Sequence, residues 1–418
     1  MNHLTFLMGM LVFILALSGS ASVGAAANEP TALLVMTRRG GDAEQFKARL
    51  SQQGFTMLRE ARCLRYGYSI LEVQPNAGTA RAALATLKSF KDADLVAAEL
   101  KFDSVFSGCT PDINDPDYDA QWHLQAMNLE EMHCLLDAQG VTQSVQPRIT
   151  LIDSGITAIK KELNRNQIRE FDFVGGVNGV EESVLIDGAS NQHGTAVTSV
   201  AAATTNNGKF LASPASRNKQ VKITMCRISD DGTIDTFDVI DAMVWCVDNQ
   251  DLRGGPGVIN LSINTPILPT YNGSEVIQNI AKDAFLQGDL FVNGAGNANF
   301  EDPSPNTKHF RVIVGLDETG MRWVEGEGLG SVYGNYKASA PCTDIPYVVN
   351  DGKATVLANT GTSLAAPSWA SCVALLMSID PTLTAPKADK ILFKTGTRTP
   401  DGHRSPDLRK AVKKVLEQ

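Results

Sequence analysis

Three short segments of the sequence place an aspartate, a histidine and a serine where they could share one reaction. Asp153 ends an apolar run in Ile-Asp-Ser-Gly, His193 stands in Gln-His-Gly-Thr, and Ser363 in Gly-Thr-Ser-Leu-Ala-Ala-Pro. A serine hydroxyl is a weak nucleophile at neutral pH, so it needs an adjacent base, which in turn needs a group that holds its tautomer. The residues therefore predict a nucleophile (Ser363), a general base (His193) and an orienting carboxylate (Asp153).

Negative charge that develops on an attacked carbonyl oxygen needs hydrogen-bond donors. Ser363 opens a stretch with a helical pattern, so the free N–H groups and the positive end of the helix dipole would face that charge. Gly361 permits close backbone approach. An alternative use of Gly294-Ala295-Gly296, dinucleotide binding, is disfavoured because Asn299 replaces the third glycine of that motif.

Short apolar runs that alternate with helical patterns must position these groups. Such near-continuous runs are typical of parallel strands covered on both faces, and predict an α/β fold with a doubly wound, mainly parallel sheet flanked by helices. Chemistry in such sheets lies beyond the carboxyl ends of the strands. The runs are 149–152, 221–228, 258–263, 290–292 and 312–314.

The chain order Asp, His, Ser and the residues around it resemble the subtilisin-like serine peptidases (subtilases), from about Asp115 to the C-terminus. The resemblance implies a subtilisin-like fold and a serine endopeptidase that cleaves peptide bonds through an acyl-enzyme. It also implies that Asn297 is an oxyanion donor. Further matching segments are Asn114-Asp115-Pro116, Gln121-Trp122-His123-Leu124, Asn260-Leu261-Ser262 and Gly294-Ala295-Gly296-Asn297.

The same resemblance implies that a peptide substrate binds as an added strand, through its main chain. Many relatives carry glycine at the positions of Asn264 and Ile234, so we expect these side chains to narrow the pockets on the non-prime side. The implied substrate-binding residues are Ser262, Ile263, Asn264, Gly296, Gly232 and Ile234.

The N-terminus predicts a signal peptide at 1–27. The apolar run Leu4–Leu17 is shorter than the roughly 20 residues that span a bilayer, and small residues follow it up to Ala27. Met1-Asn2-His3 lacks Lys and Arg, so a buried helix is the alternative. We expect a secreted or periplasmic protein without a membrane anchor.

Residues 31–106 have a β-α-β-β-α-β pattern, which resembles the inhibitory propeptide of many subtilases. The chain would then be an autoprocessed pre-pro-enzyme, inhibited by its own propeptide and cut between about Ser104 and Pro111. A permanent accessory domain is the alternative. The peptidase domain would occupy 112–418, and we expect a monomer.

Charge and cysteine content restrict the partners. The net charge is -9, and the absence of a basic run disfavours nucleic acid and anionic membranes as partners. Seven cysteines favour export. Without Cys63 six remain, and Cys226–Cys246 and Cys342–Cys372 are two conceivable pairs among 15 connectivities. No Cys-x-x-Cys occurs, which argues against zinc-ribbon and thioredoxin-like chemistry.

The predicted catalysis needs no cofactor, and the metal ligands stay open. Gln121, Glu162 and Asn206 fall near positions that hold structural calcium in several relatives, whereas the acidic run Asp115–Asp119 also fits a solvated loop. One competing function is a binding or scaffold protein that retains the fold without chemistry. An esterase or lipase is disfavoured because Ser363 lacks a Gly-x-Ser-x-Gly elbow.

Overall fold

The computed structural model describes residues 32–37, 43–63, 68–77, 80–89, 95–101, 113–184, 186–263, 274–304 and 307–418. The chain divides into two compact units, Met1–Cys109 and Thr110–Gln418. The predicted signal peptide at 1–27 and the predicted cleavage run from Ser104 to Pro111 lie outside the described residues.

The described part of the first unit is a four-stranded antiparallel sheet with two helices. The strand order is β2-β3-β1-β4. Leu33 and Val35, two residues apart, both enter the core because alternate side chains of a strand share a face. The elements are β1 (Ala32–Thr37), α1 (Ala43–Gln52), β2 (Phe55–Cys63), β3 (Tyr68–Pro75), α2 (Ala80–Ser89) and β4 (Leu95–Lys101).

The second unit alternates strands and helices. Its strands are β5 (Arg148–Asp153), β6 (Ile168–Asp172), β7 (Val180–Glu181), β8 (Lys222–Arg227), β9 (Val258–Leu261), β10 (Leu290–Gly294), β11 (Glu301–Asp302), β12 (Phe310–Leu316), β13 (Val324–Gly326), β14 (Leu329–Gly330), β15 (Tyr333–Gly334), β16 (Ala338–Pro341), β17 (Ile345–Asn350), β18 (Ala354–Asn359), β19 (Thr397–Arg398) and β20 (Arg404–Ser405). Its helices are α3 (Trp122–Ala126), α4 (Leu129–Ala138), α5 (His193–Ala202), α6 (Thr236–Asp248), α7 (Gln250–Arg253), α8 (Glu275–Leu286), α9 (Thr362–Ile379), α10 (Ala385–Thr395) and α11 (Leu408–Leu416).

The main sheet of the described residues has ten strands in the order β19-β20-β16-β12-β10-β9-β5-β8-β6-β7. Neighbouring strands are parallel throughout except for the edge pairs β6/β7 and β19/β20. The chain places β6, β7 and β8 on one side of β5 and then continues with β9 on the other side, so the strand order reverses between β5 and β9. The predicted doubly wound, mainly parallel fold is confirmed, and its ligand crevice is expected at this reversal.

The third predicted run, 258–263, is only partly a strand. β9 ends at Leu261 because the main-chain N–H and carbonyl of Ile263 form hydrogen bonds with the Asn293 side chain instead of with a neighbouring strand. Asn293 Oδ1 accepts from the Ile263 N–H at 3.2 Å, and Asn293 Nδ2 donates to the Ile263 carbonyl at 3.0 Å. The chain therefore leaves the sheet at Ser262, beside the crevice.

Helix α9 runs through the core of the second unit. Of its residues, all but Ser363 and Met377 are buried. It is the one helix of the described residues that is long and apolar enough to cross a bilayer, yet 89% of that stretch is buried inside the protein. Its composition is explained by packing between the sheet, α5 and α10.

Four cysteines with described side chains, Cys226, Cys246, Cys342 and Cys372, are buried and free. The Cys226 and Cys246 sulfurs are 3.8 Å apart, a van der Waals contact and not the roughly 2.05 Å of a disulfide. Neither conceivable pair is therefore formed. Cys134 is disulfide-bonded.

Candidate active site

Asp153 is the last residue of β5, the strand at the reversal of the sheet. It is only 3% exposed, and its Oδ1 accepts from the N–H of Ser154 at 2.8 Å. The same oxygen lies 2.7 Å from Nδ1 of His193. A buried carboxylate in this position favours the histidine tautomer with its proton on Nδ1, which leaves Nε2 free as a base.

His193 is the first residue of α5. The negative charge of Asp153 raises the pKa of His193, burial opposes that shift, and the hydrogen bond to Asp153 adds to it. The following residue must be glycine, because a Cβ at Gly194 would lie 2.1 Å from the carbonyl oxygen of Gly155. This close backbone approach brings the start of α5 against the end of β5.

Ser363 lies in the first turn of α9, after Gly361. Among the described residues its Oγ donates to the carbonyl of Ser262 at 3.2 Å rather than to the His193 ring. Ser262 Oγ in turn donates to the carbonyl of Ser363 at 2.8 Å. A rotation about the Cα–Cβ bond of Ser363 is therefore needed before its hydroxyl can donate to His193.

Asn297 follows β10 and holds the start of α9. Its Oδ1 accepts from both the N–H (2.9 Å) and the hydroxyl (3.0 Å) of Thr362. A backbone N–H can only donate, so this contact identifies the oxygen, and Nδ2 is the remaining donor. Nδ2 faces Gly361, where an added Cβ would lie 3.3 Å from it.

These groups open into one cavity of about 900 Å³. Asp153, His193, Asn297 and Ser363 line it together. Five of the six predicted substrate-binding residues also line it, and the sixth, Asn264, lies outside the described residues. Those five are Ser262, Ile263, Gly296, Gly232 and Ile234.

The sequence prediction missed part of the wall of this cavity. The lining residues that were not predicted include Ala298, Phe300, Gly328, Val332, Ala189 and Asn191. These residues belong to loops without periodicity or a distinctive motif. The sequence therefore carries no signal that would have assigned them.

The side-chain oxygens near the predicted calcium positions accept hydrogen bonds from N–H donors. Glu162 accepts from the N–H of Leu211 (2.9 Å) and from Asn207 Nδ2 (2.8 Å), and burial raises the pKa of Glu162 to about 8. Gln121 Oε1 accepts from the N–H of Ala212 at 2.7 Å.

The side-chain oxygens of two further residues near these positions also accept hydrogen bonds from N–H groups. Asn206 Oδ1 accepts from the N–H of Asn114, and Asp115 accepts from the N–H groups of Asn206 and Asn207. Asn207 Oδ1 is left without a partner among the described residues, but calcium takes six to eight oxygens. No metal ligand can be assigned to these positions within the described part of the chain.

Comparison with known proteins gives one consistent family. Residues 146–312 match the model of the subtilase family. An extracellular protease of Xanthomonas campestris pv. campestris is 27% identical over 289 residues (61% of this chain, 48% of that protein). A thermophilic serine proteinase of Bacillus sp. strain AK1 is 28% identical over 231 residues (55% and 52%). The chain therefore spans about half the length of these two relatives.

Subtilisin DY of Bacillus licheniformis is 28% identical over 273 residues, which are 64% of this chain and 89% of that protein. Two solved structures share the fold. A protease from Pseudoalteromonas arctica has a TM-score of 0.58 at 22% identity over 72% of this chain and 99% of that one. The epidermin leader peptide processing serine protease of Staphylococcus aureus has a TM-score of 0.54 at 16% identity, over 93% and 99%.

Proposed function

Since the chain belongs to the subtilase family of serine peptidases, we propose that it is a secreted serine endopeptidase that cleaves peptide bonds through an acyl-enzyme. The observation that carries the proposal is the 2.7 Å contact between His193 and Asp153, in the cavity that Ser363 also lines. A nucleophile, a base and an orienting carboxylate are then available to one substrate.

In the first step, Ser363 Oγ turns from the Ser262 carbonyl to His193 Nε2 and attacks the substrate carbonyl carbon. His193 takes the hydroxyl proton and returns it to the leaving amine. Asp153 stays ionised and stabilises the imidazolium. Water then enters, loses a proton to His193 and hydrolyses the ester, which restores the Ser363 hydroxyl.

The oxyanion of each tetrahedral intermediate would be stabilised by Asn297 Nδ2 and by the free N–H groups at the start of α9. The contact of Asn297 Oδ1 with Thr362 supports this role, because it fixes the amide so that its donor remains available. A donor oriented before the reaction needs no reorganisation when the charge forms.

A substrate strand would pair with the segment that follows β9. The backbone N–H and carbonyl of Ile263 are already bonded to Asn293, so the peptide would pair with the main chain of Ser262, whereas Asn264 lies outside the described residues. Gly232 and Ile234 would flank the peptide, and Gly296 would lie at the pocket beside the cleaved bond.

We propose maturation from a pre-pro-enzyme: a signal peptide at 1–27, an inhibitory propeptide at 31–106 and a monomeric peptidase domain at 112–418. Relatives named as extracellular proteases support export. Its proposed partners are peptide or protein substrates. Catalysis is proposed to need no cofactor. Binding of nucleic acid and a membrane anchor are not part of the proposal.

The test is to express the full chain, Ser363→Ala and a control, Ser183→Ala, which changes an exposed serine. Intact mass and N-terminal sequence report processing, and a fluorophosphonate probe with peptide mapping reports the nucleophile. The parent and the control should lose a segment ending between Ser104 and Pro111, and label at residue 363. Ser363→Ala should stay uncut and unlabelled.

Other results have defined meanings. If the parent stays uncut and unlabelled, the chain is a binding protein that retains the fold without chemistry. If Ser363→Ala is cut like the parent, another protease carries out maturation, and labelling at Ser363 alone decides whether the nucleophile is correct.

A further inference from the structure

A second carboxylate, the partly buried Asp187, contacts the residue after Asp153 and the first turn of α5. Its Oδ1 accepts from the hydroxyl of Ser154 at 2.8 Å. Its Oδ2 accepts from the N–H and the hydroxyl of Thr195, at 2.7 and 2.6 Å. One carboxylate thus connects the residue after Asp153 to the first turn of α5.

These contacts also complete the start of α5. The side chain of Gln192, the residue before the helix, bonds to the backbone of Asn350, so the free N–H groups of the first turn need other acceptors. Ser154 Oγ accepts from the N–H of Gly194 at 2.9 Å, and Asp187 accepts from that of Thr195. A carboxylate here also interacts favourably with the helix dipole.

The distance between Asp153 and His193 depends on contacts of this kind, because 40 residues separate them in the chain. Gly155 and Gly194 allow the backbones to meet, but they contribute no side chains that could lock the approach. The Ser154–Asp187–Thr195 bridge provides directed hydrogen bonds across the junction.

We propose that Asp187 is a positioning residue, whose carboxylate holds the start of α5 against the end of β5 and thereby keeps His193 in contact with Asp153. This inference rests on the proposed peptidase function. Asp187 acts through Ser154 and α5 and does not itself touch the reacting atoms.

The charge of Asp187 acts in the same direction as its hydrogen bonds. The pKa of His193 is raised mainly by Asp153 and further by Asp187. Two other charged groups near this junction are engaged elsewhere: Arg227 pairs with Asp172 at 2.8 Å, and Glu170 accepts from the N–H groups of Ile156 and Ile186. Asp187 therefore makes His193 a stronger base.

The substitution Asp187→Asn removes the negative charge of the side chain while keeping its size and its hydrogen-bonding positions. The Asn oxygen must face the Thr195 N–H, so its amide donates to Ser154 Oγ. The Ser154 hydroxyl then turns to Asp153 Oδ1, from which it is already only 3.4 Å away. The bridge survives with reversed polarity, while His193 loses a nearby charge and Asp153 gains a donor. Both changes lower the pKa of His193.

The pKa is measured by NMR titration of the His193 ring in Ser363→Ala chains with and without Asp187→Asn, using His193→Ala to assign the signal. In active chains, kcat and KM are measured against pH. We expect the His193 midpoint and the acid limb of kcat/KM to move to lower pH. Because the bridge survives in this variant, we expect the plateau kcat to fall by only about a few fold, through the weaker base, with KM little changed.

Two controls separate positioning from general damage. Asp251→Asn makes the same change on α7, before β9 and so at the opposite end of the strands, and should behave like the parent. Ser154→Ala breaks the bridge but retains the charge of Asp187, so the start of α5 is held less firmly and kcat should fall by about 10- to 100-fold with KM little changed. It also keeps the inference testable if Asp187→Asn does not fold.

An unchanged His193 midpoint in folded Asp187→Asn, or a parent-like kcat in folded Ser154→Ala, overturns the inference. A failure of the proposed function is distinguishable, because it would appear as a parent chain without turnover. The NMR titration is independent of turnover and still reports whether Asp187 controls His193.

Discussion

The two side-chain atoms of Asn297, Oδ1 and Nδ2, have different roles, and a single substitution can remove one role while keeping the other. Its Oδ1 bonds to Thr362, whereas its Nδ2 is the proposed oxyanion donor. Asn297→Asp retains the first and replaces the second with an acceptor, so we expect kcat to fall by about 10²- to 10³-fold while KM and the melting temperature change little. Asn335→Asp, on the exposed side of the same unit, is the control. A kcat within a factor of two of the parent would exclude Asn297 as the donor.

His123 gives the protein a predictable response to acid. It is fully buried, its ring nitrogens have no partner among the described residues, and burial lowers its pKa to about 3. Below pH 6.5 the unfolded chain binds a proton that the folded chain does not, so the folded state loses about 1.4 kcal/mol per pH unit from this residue.

Chemical denaturation of the parent and His123→Leu between pH 7 and pH 5 checks this expectation. The parent should lose more stability than the variant over that range, and the gap should grow as the pH falls. His309→Leu, a partly exposed histidine, is the control. Parallel stability curves for the parent and His123→Leu would contradict the assignment of a buried neutral histidine.

Among single residues, the sequence indicated the candidate catalytic groups more readily than the residues that contact them. Asp153, His193 and Ser363 stand in short motifs at ends of predicted elements, and the structure brings all three to one cavity. Asp187 stands in a loop, six residues before His193, and only the folded backbone reveals that it faces Ser154. Its partners are hydroxyl and N–H groups, which leave no recognisable spacing.

The loop from Thr204 to Ala212 has a structure that depends on hydrogen bonds. Its backbone N–H groups bond to Glu162, Gln121 and Asp115, so a cation would have to displace them. We expect the melting temperature to be the same in EDTA and in millimolar calcium. Differential scanning fluorimetry in both buffers, with a calcium-dependent subtilisin as a positive control, checks this. A rise of several degrees with calcium would show that the loop rearranges into a binding site.

Ile234 lines the cavity and is partly exposed. If its side chain narrows the non-prime pockets, Ile234→Gly should widen the range of accepted residues there, with kcat for small-residue peptides retained. Asn264→Gly should widen the neighbouring position. A peptide library cleaved by the parent and both variants checks this, with Val244→Ala on α6 as control. An unchanged preference profile would remove both residues from the specificity determinants.

At the level of elements, apolar patterning predicted the parallel sheet because central strands are buried on both faces. β5 and β10 fall where the continuous runs predict them. The predicted end of β9 was two residues too late, because the Asn293 side chain replaces a neighbouring strand as the hydrogen-bond partner of Ile263. An interaction between a side chain and a distant backbone leaves no periodic signal.

For the whole molecule, the chain order of the three motifs and the predicted parallel sheet together indicated that the motifs meet at one edge. A doubly wound sheet brings the ends of β5 and β10 and the starts of α5 and α9 to one edge, so residues up to 210 positions apart share a cavity. The free thiols show the limit of this reasoning. Cysteine spacing allowed Cys342 to pair with Cys372, but pairing depends on side-chain directions that only packing determines.

Helix α9 runs from the proposed nucleophile into the core of the second unit. Ser363 begins a helix whose remaining turns are enclosed by the sheet and by α5 and α10. Heat should therefore destroy activity and structure together, so that a sample held near its melting temperature contains fully competent molecules and inert ones, with few weakened catalysts between them.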